Sequence, residues 1–199
     1  MDLSTLLLVL LAVFIVIVFY FITIYNRLQG LRNGAFATLS QIRVAMKKRL
    51  DMVEQLVDMV KSYAHFEKAT LETITSMRTD LSSADPRDIR KINSDSLSLL
   101  SDIKAVAESY PALKTSDTVI NTMNASREVE DEISRHRYTY NNIIQELNTM
   151  IDTLPSSLIA SSARLTKQEY LSFEEDELRR AGYLTSAEIE PRRPETGWK

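Results

Sequence analysis

The sequence predicts an all-α protein: an N-terminal transmembrane helix that continues into an up-and-down bundle of three to four long helices. Three observations carry that prediction. Leu3 to Ile24 is an apolar run without a charged residue. From Ala35 onward, apolar residues recur at steps of four and three, the period of one helix face. The 199 residues include only 4 glycines and 5 prolines, few for the many turns of a sandwich or barrel.

The apolar run comprises 22 residues. As a helix it measures about 33 Å, enough to cross a hydrocarbon core of about 30 Å. A cleaved signal peptide is the competing reading. The run is too long for that, no basic residue precedes it, and no A-x-A site follows. Only Asp2 precedes the run, whereas Arg27, Arg32, Arg43, Lys47, Lys48 and Arg49 follow it with no acid before Asp51. The positive-inside rule then predicts a short outer N-terminus and a cytoplasmic body at a cell (inner) membrane. Tyr25, Arg27 and Arg32 are the candidate membrane-surface contacts. Tyr suits the aromatic belt, and Arg can reach headgroup phosphates. An ordinary stop-transfer flank would have the same residues. Gly30 and Gly34 form a G-x-x-x-G spacing outside the apolar run, which points to close helix packing or to a local flexible point.

The first long helix follows without a break. Its stripe is Ala35, Leu39, Ile42, Met46, Val53, Val57, Val60, Ala64, Leu71, Ile74 and Leu81, with two polar steps at Arg49 and Glu67. The spacing reads as one rod from Tyr25 to Leu81, about 85 Å long if unbroken, and the shorter second and third helices leave either an overhang for subunit contacts or a break in it. A stripe of that length needs cover from its own chain or from neighbours.

Ser82 to Pro86 is a boundary. Asp85 suits an N-cap, Pro86 the first helical position, and Asp88 the positive end of the dipole. The second helix runs from Pro86 to about Ser109 on Ile89, Ile92, Leu99, Leu100, Ile103 and Ala107, and Tyr110-Pro111 ends it. A third helix spans Ser116 or Asp117 to Thr153. Its expected buried face is Ile120, Met123, Ile133, Tyr140, Ile144, Leu147 and Ile151. Arg127, Glu130 and Arg137 lie on the same stripe. They form a buried ion network, a wet seam between subunits, or a partly solvated polar patch. Pro155 stops the helix, and Leu158, Ile159 and Leu165 suggest a short apolar return. Thr166 to Ala181 reads as a fourth, amphipathic helix capped by Gly182. The domains are therefore the anchor, 1–24, the helical bundle, 25–182, and a mobile polar tail, 183–199, in which Trp198 is a chance residue or a docking anchor.

Catalytic constellations are missing. With 0 cysteines there are no disulfides or thiolate metal sites. His65 and His136 fall on different helices, with no carboxylate forced beside them. None of the phosphate-cradle, dinucleotide, zinc-protease or nucleophile-elbow motifs occurs. No catalytic, cofactor-binding or metal residue is predicted, and the protein is not expected to be an enzyme. The basic stretch from Arg43 to Arg49 lacks interleaved aromatics, which argues against nucleic acid as a partner.

Tyr25-Asn26-Arg27-Leu28, Leu31-Arg32-Asn33, Ser40-Gln41-Ile42, Lys48-Arg49 and Leu56-Val57 fall at the spacing found in the LemA family. Ala105 to Lys114 resembles that family's "AVAEAYPDLK" turn. Tyr140-Asn141, Leu154-Pro155 and Leu158-Ile159-Ala160 resemble its closing pattern. The resemblance covers roughly residues 22 to 175 and implies a short outer N-terminus, one membrane helix and a helical cytoplasmic domain. There are departures: Leu39 and Glu54 stand where the family often has Trp and Pro, and Phe66-Glu67 replaces a His-Glu pair. Without that Pro, an uninterrupted first helix is expected. The resemblance also brings in a related magnetosome protein implicated in shaping an internal membrane, an analogy at the level of the fold. The function expected is a membrane-anchored scaffold that self-associates at the cytoplasmic face, with membrane lipid and further copies of the chain as partners. The alternative is an adaptor that presents its bundle to another membrane protein or signalling system.

Overall fold

The computed structural model describes residues 2–61 and 68–172. Six helices follow in order: α1 Leu3–Val60, α2 Lys68–Leu81, α3 Pro86–Ser109, α4 Pro111–Lys114, α5 Asp117–Asp152 and α6 Ser156–Ser162. Among the described residues there is no strand. The protein is all-α, as its periodicity predicts.

The bundle is built round α1, a single helix of 58 residues. Its N-terminal part is the apolar run, long and apolar enough to cross a membrane and exposed throughout from Leu3 to Thr23. From Ile24 inward the same helix becomes the core. Leu28, Leu39, Ile42, Met46, Leu50, Val53, Leu56, Val57 and Val60 are all buried. Gly30 and Gly34 lie inside this helix without interrupting it. A Cβ at Gly34 would sit 3.7 Å from the Ile143 side chain, so that turn faces α5, whereas Gly30 has open space beside it.

The expected rod to Leu81 does not form. The helix stops at Val60, and α2 runs back along it. Arg78 pairs with Asp51 and with Glu54, the latter at 2.6 Å, and just past α2 the Ala84 carbonyl accepts from Arg43 Nη2 at 2.6 Å. The physical reason is the wet stripe. Folding back seals Ile74, Met77 and Leu81 against the same core as Met46 and Val57. The connection, 62–67, holds Ala64, His65 and Glu67 and lies outside the described residues.

The third leg, α3, begins as the sequence predicts. Asp85 accepts from the Arg87 and Asp88 amides, Asp88 reaches back to the Asp85 amide, and Pro86 stands in the first turn: a complete capping box. Ile89, Ile92, Ile103 and Ala107 are buried, with Leu99 and Leu100 packed at the edge. Between Ser116 and Thr153, α5 returns antiparallel to α1; the two share the largest interface in the fold. Its buried face is Val119, Val129, Ile133, Tyr140, Ile144 and Leu147. At its N-terminal end the register is one residue off the expected stripe: Val119 faces inward and Ile120 is 42 % exposed.

The fourth helix from Thr166 is also absent over its described part. Residues 165–172, here called the strap, are not helical. They pass along α5 beside the start of α3, and the buried Leu171 is their contribution to the core. The strap is extended because α5 holds its backbone open, as described next. Residues 173–199, which include the rest of that helix, Gly182 and the polar tail, lie outside the described residues.

Candidate functional site

The densest polar geometry lies where α1, α3, α5 and the strap meet. Arg49, one of the two polar steps in the first stripe, is fully buried. Its Nη1 donates to Asn93 Oδ1 at 2.7 Å and to Ser96 Oγ at 3.1 Å, both on α3. Its Nη2 donates to the carboxylate of Glu130 on α5. One guanidinium thus ties three helices together. Ion pairs elsewhere follow the same α1–α5 register, with Lys48 on Glu132 at 3.2 Å and Arg27 on Glu146 at 2.5 Å. Three of the six bases that follow the apolar run therefore meet acids of α5.

The strap is held by side chains rather than by a backbone ladder. Asn141 Nδ2 donates to the Leu171 carbonyl at 2.9 Å, and the Leu171 amide donates to Asn141 Oδ1 at 2.8 Å. Asn148 repeats the pattern on Gln168, at 2.9 Å both ways. The arithmetic fits: seven residues of helix cover about 10.5 Å, and three residues of extended chain cover about 10 Å. Arg137 Nη2 donates to the Ser172 carbonyl at 2.9 Å, and Tyr140 Oη donates to the Glu169 carbonyl at 3.1 Å. From α3, Arg87 Nε reaches the Glu169 carboxylate at 2.9 Å. That hydrogen bond to Arg87 holds the Glu169 carboxyl below its usual range, and the Arg87 guanidinium is raised in return. Burial first, then the charge of Glu169, pushes the Tyr140 phenol up.

The candidate residues read from the sequence fall in different places. Of the polar set on the third stripe, Glu130 joins Arg49, Arg137 lies buried against the strap, and Arg127 is exposed and donates to Asn124 at 3.3 Å. No contact joins Arg127 to Glu130. Of the surface set, Tyr25 is exposed and Arg27 is engaged by Glu146. The Arg32 guanidinium lies 5.7 Å from the ring centre of the exposed Phe36. Periodicity did not bring in Asn93, Ser96, Asn141 or Asn148, because a polar residue on a helix normally reads as a solvated face. The available signals were Arg49, a charge where the stripe demanded an apolar residue, and the family resemblance at Tyr140-Asn141.

Beside the strap lies a cleft of about 250 Å³ between Phe36, Leu39, Tyr140, Leu147 and Gln168, with Arg32 and Arg43 at its edge. Its lining is largely apolar; Ser83 and Asp85 also border it, and the Asp85 carboxylate is taken up by the Arg87 and Asp88 amides of the capping box. Among the described residues no group of three His, Cys, Asp or Glu side chains could hold a metal ion. His136 stands beside Glu132 at 3.8 Å, and His65 lies outside the described residues.

A long apolar helix continuous with the hub of an all-α bundle, with a polar seam and no reaction centre among the described residues, defines a bundle protein carried on a candidate membrane anchor. The sequence profile of the LemA family matches residues 38–182, the greater part of the chain. The chain belongs to the LemA family, which is not a known enzyme family. It is similar to a protein described as Protein LemA from Metamycoplasma hominis. The two are 28 % identical over 173 residues, covering 85 % of this chain and 78 % of that relative.

Proposed function

We propose that this protein is a membrane-anchored scaffold whose bundle self-associates at the cytoplasmic face and organises the membrane it is anchored in. The observation that carries this reading is the continuity of α1. One helix is both the candidate span and the hub against which α2, α3, α5 and α6 pack. A bundle on a stiff shaft has little freedom to turn away from neighbours in the same plane. Phe36 and Val44 support the reading further, since both stay exposed on the shaft below the anchor. The base-rich, acid-free sequence between Leu3 and Leu50 supports the cytoplasmic side.

The test is the mass of the full-length protein in lipid nanodiscs. A defined homo-oligomer is expected, and a monomer at every protein-to-lipid ratio overturns self-association. Sidedness is read separately, because the chain has 0 native cysteines. A cysteine at Ser4 should react with an impermeant reagent from outside whole cells, and one at Tyr138 should not. An adaptor reading draws on the apolar cleft beside Phe36. It predicts a stoichiometric foreign membrane protein that copurifies with the chain and is lost on Phe36→Asp.

A further inference from the structure

The corner between α5 and α6 reaches the level of the apolar run. Gly34 stands against Ile143, whose side chain would lie 3.7 Å from a Cβ at that glycine, and this close approach sets the relative height of antiparallel α1 and α5. From Ile143, α5 continues to Asp152, about 14 Å further along its axis. Its end therefore stands level with about Tyr25, at the C-terminal end of the apolar run. The chain then turns, and α6 lies against the shaft, with Ile159 and Ala160 packed on Ile24 and Leu28.

That packing accounts for the inward face of the corner and leaves its outward face apolar. Leu154 is 76 % exposed and Leu158 is 59 % exposed, four residues apart across Pro155. Neither leucine is spent on the apolar cluster beneath them, which is already closed by Leu147, Met150, Ile151 and Leu165. The charged groups nearest the corner are suited to a boundary. Asp152 is neutralised by Lys167 at 2.8 Å, and Glu146 by Arg27. Both bases have long stems that keep their heads in the headgroup layer. The Thr23 hydroxyl donates to the Phe19 carbonyl at 2.9 Å, so that hydroxyl is satisfied within the shaft.

We propose that the α5–α6 corner is a second membrane contact, with Leu154 and Leu158 seated at the acyl–headgroup boundary of the leaflet from which α1 emerges. The proposal rests on the reading of Leu3 to Ile24 as a membrane span. At the C-terminal end of the span the leaflet surface surrounds the shaft, so the acyl–headgroup boundary is what an outward leucine meets. The contact adds a second foot beside the anchor. It fixes the rotation of the bundle about the shaft and sets which face each copy presents to its neighbours.

The experiment uses the full-length chain in nanodiscs of phosphatidylcholine with phosphatidylglycerol. Single cysteines at Val16, Leu154, Leu158 and Tyr138 carry nitroxides, and collision with oxygen is compared with collision with a water-soluble nickel chelate. The expected result is lipid exposure at Val16, a shallower lipid exposure at Leu154 and Leu158, and water exposure at Tyr138, which is 68 % exposed on α5. If Val16 lies in lipid while Leu154 and Leu158 are as open to nickel as Tyr138, the second foot is overturned and the anchor stands. If Val16 itself is open to nickel, the span is overturned and the foot falls with it. Leu158, inside α6, guards against a local disturbance from replacing the residue before Pro155.

Discussion

Asn141 pairs with the backbone of Leu171 as one residue of a β-ladder pairs with another, giving its amide N–H to the carbonyl and taking the peptide N–H on its oxygen. A primary amide has the same donor and acceptor, side by side, as a peptide unit. Leu171 is fully buried, so its peptide groups need these partners. Asn141→Ala is expected to cost about 2 kcal/mol, from stranding two backbone groups of the buried Leu171. Asn148→Ala is expected to cost about 0.5 kcal/mol, because Gln168 is open to water and solvent replaces the side chain. Chemical denaturation of the detergent-solubilised protein measures both. Equal losses at the two positions would refute the distinction.

The strap should also respond to pH at both ends of the scale. Bonded to Arg87, Glu169 has a folded pKa below its ordinary 4.5. Its contribution is therefore complete above that ordinary value and lost as pH falls through the lower folded one. Tyr140 runs the other way. Burial and the Glu169 charge raise it above 10.0, so its contribution is complete below 10.0 and lost as pH rises through the raised value, when Oη can no longer donate to the Glu169 carbonyl. A nitroxide at the exposed Tyr170 should be immobile across the neutral range and gain mobility below about pH 4.5 and above about pH 10. Arg87→Gln should abolish the acid limb and leave the alkaline one.

Much of the bundle was legible because its boundaries are chemical. Asp85-Pro86, Tyr110-Pro111 and Ser116 mark where helices start and stop, and α3 and α5 follow them to within a residue. The reversal after Val60 had no such mark. From Ala35 to Asp85 there is neither Gly nor Pro, and α1 and α2 turn their apolar stripes to one core, so the period of the first runs into the second without a visible seam. The strap was hidden for a different reason. Thr166 to Ser172 has a composition that suits a helix, and its extended form is imposed by Asn141 and Asn148, which lie 20 to 30 residues away in sequence. Arg49 was visible as an anomaly, but its partners Asn93 and Ser96 belong to another helix, and no period within one helix reports a pairing between two.

Arg78 provides the direct test of that reversal. It sits between Asp51 and Glu54. In an uninterrupted helix, Asp51 and Arg78 would stand about 40 Å apart and could not couple. Arg78→Glu places a third acid in the cluster and is expected to destabilise the protein by about 1–2 kcal/mol, and the added change Glu54→Arg should restore about half of that. Additive effects of the two substitutions would mean that α2 does not lie along α1.

Arg49 and Glu130 make the most consequential pair in the bundle, because the guanidinium is wholly buried while the carboxylate is 35 % exposed. Removing the two members should not be equivalent. Glu130→Ala leaves a cation in the core, and about 3 kcal/mol of stability should be lost, toward the lower end for a buried pair because water still reaches the carboxylate. Arg49→Met removes the cation and its desolvation together with the pair. About 1–2 kcal/mol should be lost, mainly from the bonds to Asn93 and Ser96. In the Arg49→Met background, Glu130→Ala should then cost almost nothing. The double-mutant cycle, read by denaturation in the same detergent, would give a coupling of about 2–3 kcal/mol. Independent, additive losses would show that Glu130 does not neutralise Arg49. They would leave the three-helix junction resting on Asn93 and Ser96 alone.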